Sequence, residues 1–311
     1  MAVDQKLEDV LLVLHLKSSD KYSILLKVAN IVFSISSKLP KDSFHLEENY
    51  RNFLCAEPPD VTVHGHYSGI PEIPLRDKDK IFSSGIFWDA YRVDRCPVFV
   101  LRLSGFNPQP YCIAVFKPEF RNGDVYYRVF PHSEARGTHL PHPLTFPLFH
   151  LLMISFLAQG YGVLVHACGI DDGGRGLLFP GSSNNGKTTM ARLWQDEAFI
   201  LNDERIVLRQ REGRLWIYGT PWHGEYDKIS PRGVPLDKVF FLRHAEANSV
   251  QRWEGASAAS KLLTHCFQPY WDPAGMDFIL NFCTGVVESV PCCELNFVPD
   301  KCVVDFIRCV K

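Results

Sequence analysis

One short run of this sequence has the residue types and spacing of a phosphate-binding loop. Glycines allow a tightly curved chain whose backbone N–H groups point inward, and a helix that starts beside it adds further unpaired N–H groups. Lys187 would supply a mobile positive charge for the terminal phosphates, and Thr188 would supply a hydroxyl for Mg²⁺. The residues predicted to bind the nucleotide are Gly181, Ser182, Ser183, Asn184, Asn185, Gly186, Lys187, Thr188 and Thr189.

The same pattern also occurs in ordinary turns. In such a turn Lys187 would be a solvated charge at the start of a helix, where it would oppose the helix dipole. The setting favours the functional interpretation, because an apolar strand at 176–180 precedes the run and a helical segment at 188–195 follows it. We therefore predict that the chain binds ATP together with Mg²⁺.

Two adjacent acids follow the next apolar segment. Asp203 and Glu204 stand directly after residues 198–202, where a neighbouring strand would end beside the loop. Phosphoryl transfer with Mg²⁺ requires a carboxylate near the metal and often a base that orients the attacking hydroxyl. We assign Asp203 to the metal together with Thr188, and Glu204 to the base or to a second metal contact. The two acidic roles could be exchanged, and without the loop upstream the pair would indicate only a turn.

A histidine upstream of the loop is a further candidate. His166 lies in the apolar run 163–170, and a turn at 171–174 would fold the chain back so that this histidine approaches the phosphates. A single histidine inside an apolar strand is more often a satisfied core residue. Spacing alone leaves both interpretations open.

Composition indicates a globular protein. The chain has 311 residues, of which 46% are hydrophobic and 22% charged, and its formal net charge is −2. Such a chain can bury a sizeable core, and its charge gives no overall attraction to nucleic acid or to anionic membranes. The first residues lack the basic flank and apolar core of a secretory signal, and no apolar run has the length of a transmembrane helix. We expect a cytoplasmic protein without nucleic-acid or membrane partners.

The cysteines give no sign of a metal or redox motif. There are 10 of them, spread from Cys55 to Cys309, and no two form a Cys-x-x-Cys pair. In a reducing compartment they would be mostly buried small hydrophobic residues. A disulfide-stapled secreted scaffold is the alternative.

The pattern along the chain predicts two domains of mixed α/β class. Residues 1–140 are mostly β, with short strands separated by Gly, Pro, Asn or Asp, which is typical of an antiparallel sheet or meander. Pro, His, Gly and Thr dominate 131–147, where we place the boundary. Residues 141–311 then contain a buried helix at 148–160 and the order strand, loop, helix, strand, acid. We expect the first domain to recognise a substrate or partner and the second to bind the nucleotide.

The segment 164–208 resembles the core of the HPr kinase/phosphorylase superfamily, whose fold is shared with phosphoenolpyruvate carboxykinases. The matching pieces are the histidine strand 164–167, the loop 181–189 and the acidic strand end 201–205. The resemblance implies a P-loop kinase domain in which the histidine lies close to the transferred phosphate and the paired acids handle metal and proton. The catalytic residues that it implies are His166, Lys187, Asp203 and Glu204.

The segment 219–224 is also similar to a group of HPr-kinase-like proteins with an N-terminal β-rich module, in which it lies near the nucleotide. Otherwise Trp222 would be a core residue and His223 a surface-loop residue, and Arg205 would either balance the acids or form a surface ion pair. The chain departs from authentic HPr kinases, which usually have two aspartates in place of the Asp-Glu pair and more glycine in the loop. It also lacks their downstream HPr-binding signature, so we do not assign HPr as its substrate.

Two functions are compatible with these residues. The first is an ATP- and Mg²⁺-dependent kinase that transfers the γ-phosphate to a hydroxyl of a protein, peptide or small molecule, with Glu204 orienting or deprotonating that hydroxyl. The second is a nucleotide-binding accessory protein that couples ATP occupancy to docking of a peptide or carrier protein. Carboxykinase chemistry is disfavoured by the chain length, and a purely structural role ranks third. The sequence leaves the acceptor and any homo-oligomer open.

Overall fold

The chain is a mixed α/β protein that divides into two compact units. One unit comprises the described residues up to Leu26 and those of Ile31–Leu152, and the other comprises Lys27–Asn30 and the described residues from Met153 onward. Each unit is built on its own eight-stranded sheet. Most of the segment in which we place the domain boundary lies outside the described residues, and the functions assigned to the two parts stay predictions. The computed structural model describes residues 21–103, 109–128, 140, 142–182 and 185–310.

The first unit contains eight strands and three short 3-10 helices among its described residues. In the sheet these strands follow the order β1, β2, β3, β8, β7, β6, β5, β4. The short helices are Lys41–Ser43, Glu48–Phe53 and Asp77–Asp79. The strands are β1 Tyr22–Val28, β2 Ile31–Ser37, β3 Val61–His66, β4 Lys80–Ser83, β5 Trp88–Val93, β6 Cys96–Arg102, β7 Pro110–Phe116 and β8 Asn122–Tyr127.

The predicted antiparallel meander is confirmed for part of this sheet. Strands β4 to β8 pair with their sequence neighbours in antiparallel fashion. Strand β3 differs, because it pairs in parallel with both β2 and β8. Its alternating pattern, with Val61 and Val63 buried, suits either direction of pairing. The sequence pattern therefore located this strand without revealing its partners.

Five helices and eight strands follow in the described remainder of the chain. Helix α1, Leu148–Leu157, contains the division between the two units. The elements after it are β9 Val163–Asp172, β10 Arg175–Pro180, α2 Lys187–Trp194, β11 Phe199–Asn202, β12 Arg205–Arg211, β13 Arg214–Tyr218, β14 Gly233–His244, β15 Ser249–Trp253, α3 Gly255–Leu263, α4 Pro273–Ser289, β16 Cys292–Phe297 and α5 Cys302–Cys309.

Strands β9, β12, β13, β14 and β10 of the second unit close a ring. Each consecutive pair is antiparallel, except that β14 returns to β10 in parallel. Outside the ring, β16 and then β15 continue from β14, and β11 pairs with the C-terminal part of β9. Strand β9 is therefore shared by the ring and by the short strand that precedes the two acids.

Two apolar clusters cover the two faces of this sheet. In one, Leu178 packs with residues of α3 and α4, and in the other, Phe179 packs with Trp194 of α2 and residues of α5. Successive side chains of a strand point to opposite faces, so β10 contributes to both clusters. This explains why the strand before the phosphate loop is apolar at nearly every position, as in sheets that are covered on both faces.

The cysteines act as small hydrophobic residues, as predicted. All 10 are free thiols, and seven of them are buried. The alternative of a disulfide-stapled scaffold is therefore wrong. Among the described residues, none of the helices combines the length and the apolarity that crossing a lipid bilayer would require.

Candidate functional site

The glycine-rich run lies between β10 and α2, in the order that the sequence predicts. Gly181 leaves the strand, and its N–H donates to the carbonyl oxygen of His166 at 3.3 Å. Gly186 has a φ of 94°, in the left-handed region that favours glycine. Lys187 then begins α2, so the positive end of this helix faces the loop.

Gly186 also lies too close to its neighbours to carry a side chain. A Cβ atom at this position would lie 2.6 Å from the ring of Phe297 and 3.1 Å from the ring of His244. Both the backbone conformation and the lack of space therefore require glycine here.

Two hydrogen bonds to a single carbonyl oxygen hold the interior of the loop. The N–H of Asn185 donates to the carbonyl oxygen of Ser182 at 3.2 Å, and Nζ of Lys187 donates to the same oxygen at 3.1 Å. Burial lowers the pKa of Lys187, against the opposing influence of nearby negative groups. An ammonium group has three N–H donors, so this lysine keeps capacity for an anion. Ser183 and Asn184 lie outside the described residues.

The structure brings together Thr188 and Asp203, the two residues expected to bind Mg²⁺. The hydroxyl of Thr188 donates to Oδ2 of Asp203 at 2.8 Å. Asp203 directly follows β11 and is fully buried. The N–H of Gly224 donates to its Oδ1 at 2.8 Å, and the N–H of Tyr226 donates to Oδ2 at 3.1 Å. These three donors compensate a carboxylate for the loss of water.

Asn202 organises the turn that carries both acids. It is fully buried, and its Oδ1 accepts the N–H groups of Glu204 at 2.7 Å and Arg205 at 2.8 Å. Its Nδ2 donates to the carbonyl oxygens of Thr220 at 2.9 Å and Trp222 at 3.1 Å. One amide side chain thus fixes the acidic turn against the following loop. Asn202 is not among the site residues predicted from the sequence, although an asparagine between an apolar strand and two acids is a recognisable turn signal.

His166 of β9 forms a pair with Glu204 of the acidic turn. Nε2 of His166 lies 3.1 Å from Oε2 of Glu204, and the hydrogen bond from this imidazole is the largest cause of a lowered pKa of Glu204. Burial acts in the opposite direction. His166 therefore contacts a predicted catalytic acid, and its role as a site residue stays a prediction.

Arg205 lies close to the carboxylate of Glu204 and not to that of Asp203. A guanidinium nitrogen of Arg205 lies 3.6 Å from Oε1 of Glu204, and the guanidinium group lies 5.4 Å from the centre of the Phe267 ring. Burial lowers the pKa of this arginine. Glu204 therefore stands between an imidazole and a guanidinium, which keeps it ionised.

The loop 219–224 approaches the acids through its backbone. Trp222 is buried, and its carbonyl oxygen accepts the amide of Asn202. His223 is partly buried, and its Nδ1 lies 2.9 Å from the carbonyl oxygen of Gly224. The indole is thus a core group, while the loop as a whole covers Asp203.

A cavity of about 440 Å³ opens beside the loop, within the size range of small-molecule sites. Three of its lining residues were not among the predictions, namely Arg192, Glu225 and His244. Arg192 and Glu225 approach each other at 3.7 Å. Glu225 and His244 lie far from the glycine-rich run in the sequence. Arg192 lies on the helix that follows the run, at a position that no motif specifies. The lining residues are Gly186, Lys187, Thr188, Thr189, Arg192, Glu204, Gly224, Glu225 and His244.

The oxygen ligands fit Mg²⁺ that arrives together with phosphates. Mg²⁺ prefers oxygen, keeps several waters, and is commonly bound by one or two carboxylates plus substrate phosphates. The hydroxyl of Thr188 and the carboxylate of Asp203 provide such a partial set. Within the described part of the chain, no group of three or more His, Cys, Asp or Glu side chains is arranged to hold a metal ion.

Comparison with known proteins adds no family to this description. No protein-family model matches the sequence, and no curated protein is significantly similar to it. The geometry around Lys187, Thr188 and the two acids is therefore the basis for a functional proposal.

Proposed function

We propose that the chain binds ATP with Mg²⁺ in the cavity beside Lys187 and transfers the γ-phosphate to a hydroxyl group. The observation that carries the proposal is the 2.8 Å hydrogen bond between Thr188 and Asp203. It joins a hydroxyl from the helix after a glycine-rich loop to a carboxylate at the end of the adjacent strand, as a magnesium nucleotide requires. An HPr-kinase-like P-loop domain with a carboxykinase-type fold would account for this combination.

The residues of the chain would divide the work of the reaction. Thr188 and Asp203 would hold Mg²⁺, which neutralises phosphate charge when it is bound. Lys187 would exchange its carbonyl partner for a phosphate oxygen. Glu204, kept ionised by its neighbours, would accept a hydrogen bond from the acceptor hydroxyl and orient it. Such transfers depend mainly on positioning and electrostatic stabilisation, so a weakly basic carboxylate is sufficient.

A second candidate function is a nucleotide-binding accessory protein without transfer. The observation that favours it is the engagement of Glu204 by His166 at 3.1 Å and by Arg205 at 3.6 Å. A carboxylate that stayed tied to these two groups would not reach an acceptor hydroxyl. In that case ATP occupancy would control the docking of a peptide or carrier protein.

The first experiment measures thermal unfolding with and without MgATP. A ligand at about 100 times its dissociation constant adds roughly 2.7 kcal/mol to the free energy of unfolding, which raises the midpoint by several degrees. We expect such a rise with MgATP and its loss when Mg²⁺ is chelated. A midpoint that does not respond to MgATP would rule out both candidate functions.

The second experiment separates the two functions with Glu204→Gln. The amide retains the size of the side chain but cannot act as an anionic acceptor for the hydroxyl proton. The kinase proposal predicts that this variant keeps the MgATP midpoint shift and loses transfer of label from γ-labelled ATP to acceptors in a cell extract. Wild-type protein that binds MgATP tightly and labels no acceptor would instead support the accessory function. Intact transfer by the variant would show that Glu204 does not orient the hydroxyl.

A further inference from the structure

His244 places an unused imidazole at the rim of the nucleotide cavity. It ends β14, is exposed, and is one of the residues that line the cavity. Its ring packs against Phe297 with 4.8 Å between the ring centres. No hydrogen bond of its ring nitrogens occurs among the described residues. The imidazole therefore has an aromatic neighbour and a free donor.

The His244 ring lies where it could contact a bound phosphate group. A Cβ atom on Gly186 would lie 3.2 Å from Nε2 of His244, so this nitrogen lies beside the glycine that precedes Lys187. That glycine stands at the N-terminal end of α2, where backbone N–H groups and the helix dipole favour an anion. An imidazole N–H can donate to an anionic oxygen in either protonation state. The ring thus adds a donor to a region that already favours negative charge.

The two carboxylates that line the cavity lie next to basic side chains other than His244. Glu204 is paired with His166 at 3.1 Å, and Glu225 lies 3.7 Å from Arg192. Neither acid has a hydrogen bond or ion pair with His244 among the described residues. An anion that enters the cavity is therefore the partner that fits the free imidazole nitrogen.

We propose that His244 binds the polyphosphate chain of the nucleotide by donating a hydrogen bond from Nε2 to a phosphate oxygen. This inference rests on the proposed binding of MgATP and identifies a residue outside the glycine-rich motif. Recognition through phosphate does not involve the base. The contact therefore forms equally with MgATP and with magnesium tripolyphosphate.

Isothermal titration with these two probes tests the contact. His244→Phe retains an aromatic ring against Phe297 and removes the donor, whereas His244→Gln restores an N–H donor. Hydrogen bonds to charged groups contribute about 1.5–3 kcal/mol, so we expect His244→Phe to weaken the binding of both probes by roughly tenfold or more. His244→Gln should recover most of the loss, and the unliganded unfolding midpoint should stay unchanged in both variants.

Arg243→Gln is the matched control. Arg243 precedes His244 on β14, is exposed, and approaches Glu294 at 3.5 Å. Its replacement removes a positive charge next to the site without removing a residue that lines the cavity. We expect less than a twofold change in the dissociation constant of either probe. A loss as large as that of His244→Phe would mean that general charge, and not a specific contact, affects binding, and the proposal would be wrong.

The remaining outcomes separate this inference from the proposed function. Unchanged tripolyphosphate binding by His244→Phe overturns the contact, even if ATP binding falls, because the ring would then serve the nucleoside. Wild-type protein that binds MgATP while all variants bind equally well removes the inference and leaves the proposed function intact. Wild-type protein that binds neither probe removes the proposed function itself.

Discussion

At the scale of single residues, Lys187 illustrates how the site favours an anion. Its ammonium group is held by the carbonyl oxygen of Ser182 in a buried position, and burial lowers its pKa. A buried cation is unfavourable even with carboxylates nearby, and a bound phosphate would relieve part of that cost. Under the proposed function, the lysine would serve the ligand more than the stability of the fold.

We therefore predict that Lys187→Met abolishes the rise of the unfolding midpoint with MgATP. The unliganded midpoint should stay the same or increase slightly, because methionine is apolar and does not place a charge in a buried position. Thermal unfolding with and without MgATP measures both effects. A variant with a normal MgATP response would contradict the role of this ammonium group, and a strongly lowered unliganded midpoint would show that its role is structural.

Asp203 and Thr188 should respond differently to substitution. Asp203→Asn places an NH₂ group among three donors, and an unsatisfied buried donor costs about 1–3 kcal/mol, so we expect lower stability to urea. Thr188→Val leaves the two backbone N–H donors on Asp203 and should cost less stability. Both variants should need more Mg²⁺ for ATP binding, which a titration at several Mg²⁺ concentrations measures. Equal Mg²⁺ requirements in Thr188→Val and wild-type protein would contradict the metal role of the hydroxyl.

Sequence patterns identified some site residues and missed others for a physical reason. Lys187 and Thr188 belong to one contiguous motif, and Asp203 follows the next apolar segment, so local spacing was enough to connect them. His244 contributes only because β14 ends beside the loop, a relation that depends on the order of strands in the sheet. Asn202 acts through four hydrogen bonds to backbone groups, none of which a composition or motif reveals.

At the scale of elements, three segments meet around Asp203. The phosphate loop follows β10, the acidic turn follows β11, and the loop after β13 covers Asp203 through the N–H groups of Gly224 and Tyr226. The order of the first two was predictable from apolar periodicity. For the covering loop only the resemblance of 219–224 predicted a place near the nucleotide, because its contacts with Asp203 are made by backbone groups and leave no pattern in the side chains. The parallel pairing of β3 was hidden for a similar reason.

Gly224→Ala tests the contact between the covering loop and Asp203. A Cβ atom on Gly224 would lie 3.0 Å from Oδ2 and 3.2 Å from Oδ1 of Asp203, so the carboxylate would have to shift. We expect weaker MgATP binding and a modest loss of stability, measured by calorimetric titration and urea unfolding. Gly285→Ala is the control, because a Cβ atom there meets nothing within 4 Å. In a helix, alanine for glycine should add roughly 0.5–1 kcal/mol without changing MgATP affinity.

At the scale of the whole molecule, each unit contains a histidine with a lowered pKa, partly buried in the first unit and buried in the second. Burial lowers the pKa of His142 in the first unit and of His265 in the second to about 4. An unfolded histidine has a pKa of about 6.5, so between about pH 4 and 6.5 the unfolded chain binds protons that the folded chain does not. The free energy of unfolding should therefore fall as the pH is lowered through this window.

His265→Phe isolates the contribution of the second unit. Phenylalanine can occupy the aromatic position beside Phe241, whose ring centre lies 6.3 Å from that of His265. We expect urea unfolding between pH 4.5 and 7 to depend less steeply on pH in this variant, while the contribution of His142 stays. An unchanged slope for the second unit would show that His265 is not protonated differentially.

The closed ring of the second unit has a consequence for association with other chains. Each of its five strands has at least two partners, so none offers a bare row of backbone groups to an incoming strand. Within the described sheet, β15 lies at one end, and its Gln251 and Arg252 are exposed. Polar and charged side chains on an edge discourage the addition of further strands. The strands of the ring, including β10 before the glycine-rich loop, are thereby shielded from the edge-to-edge pairing that leads to fibrils.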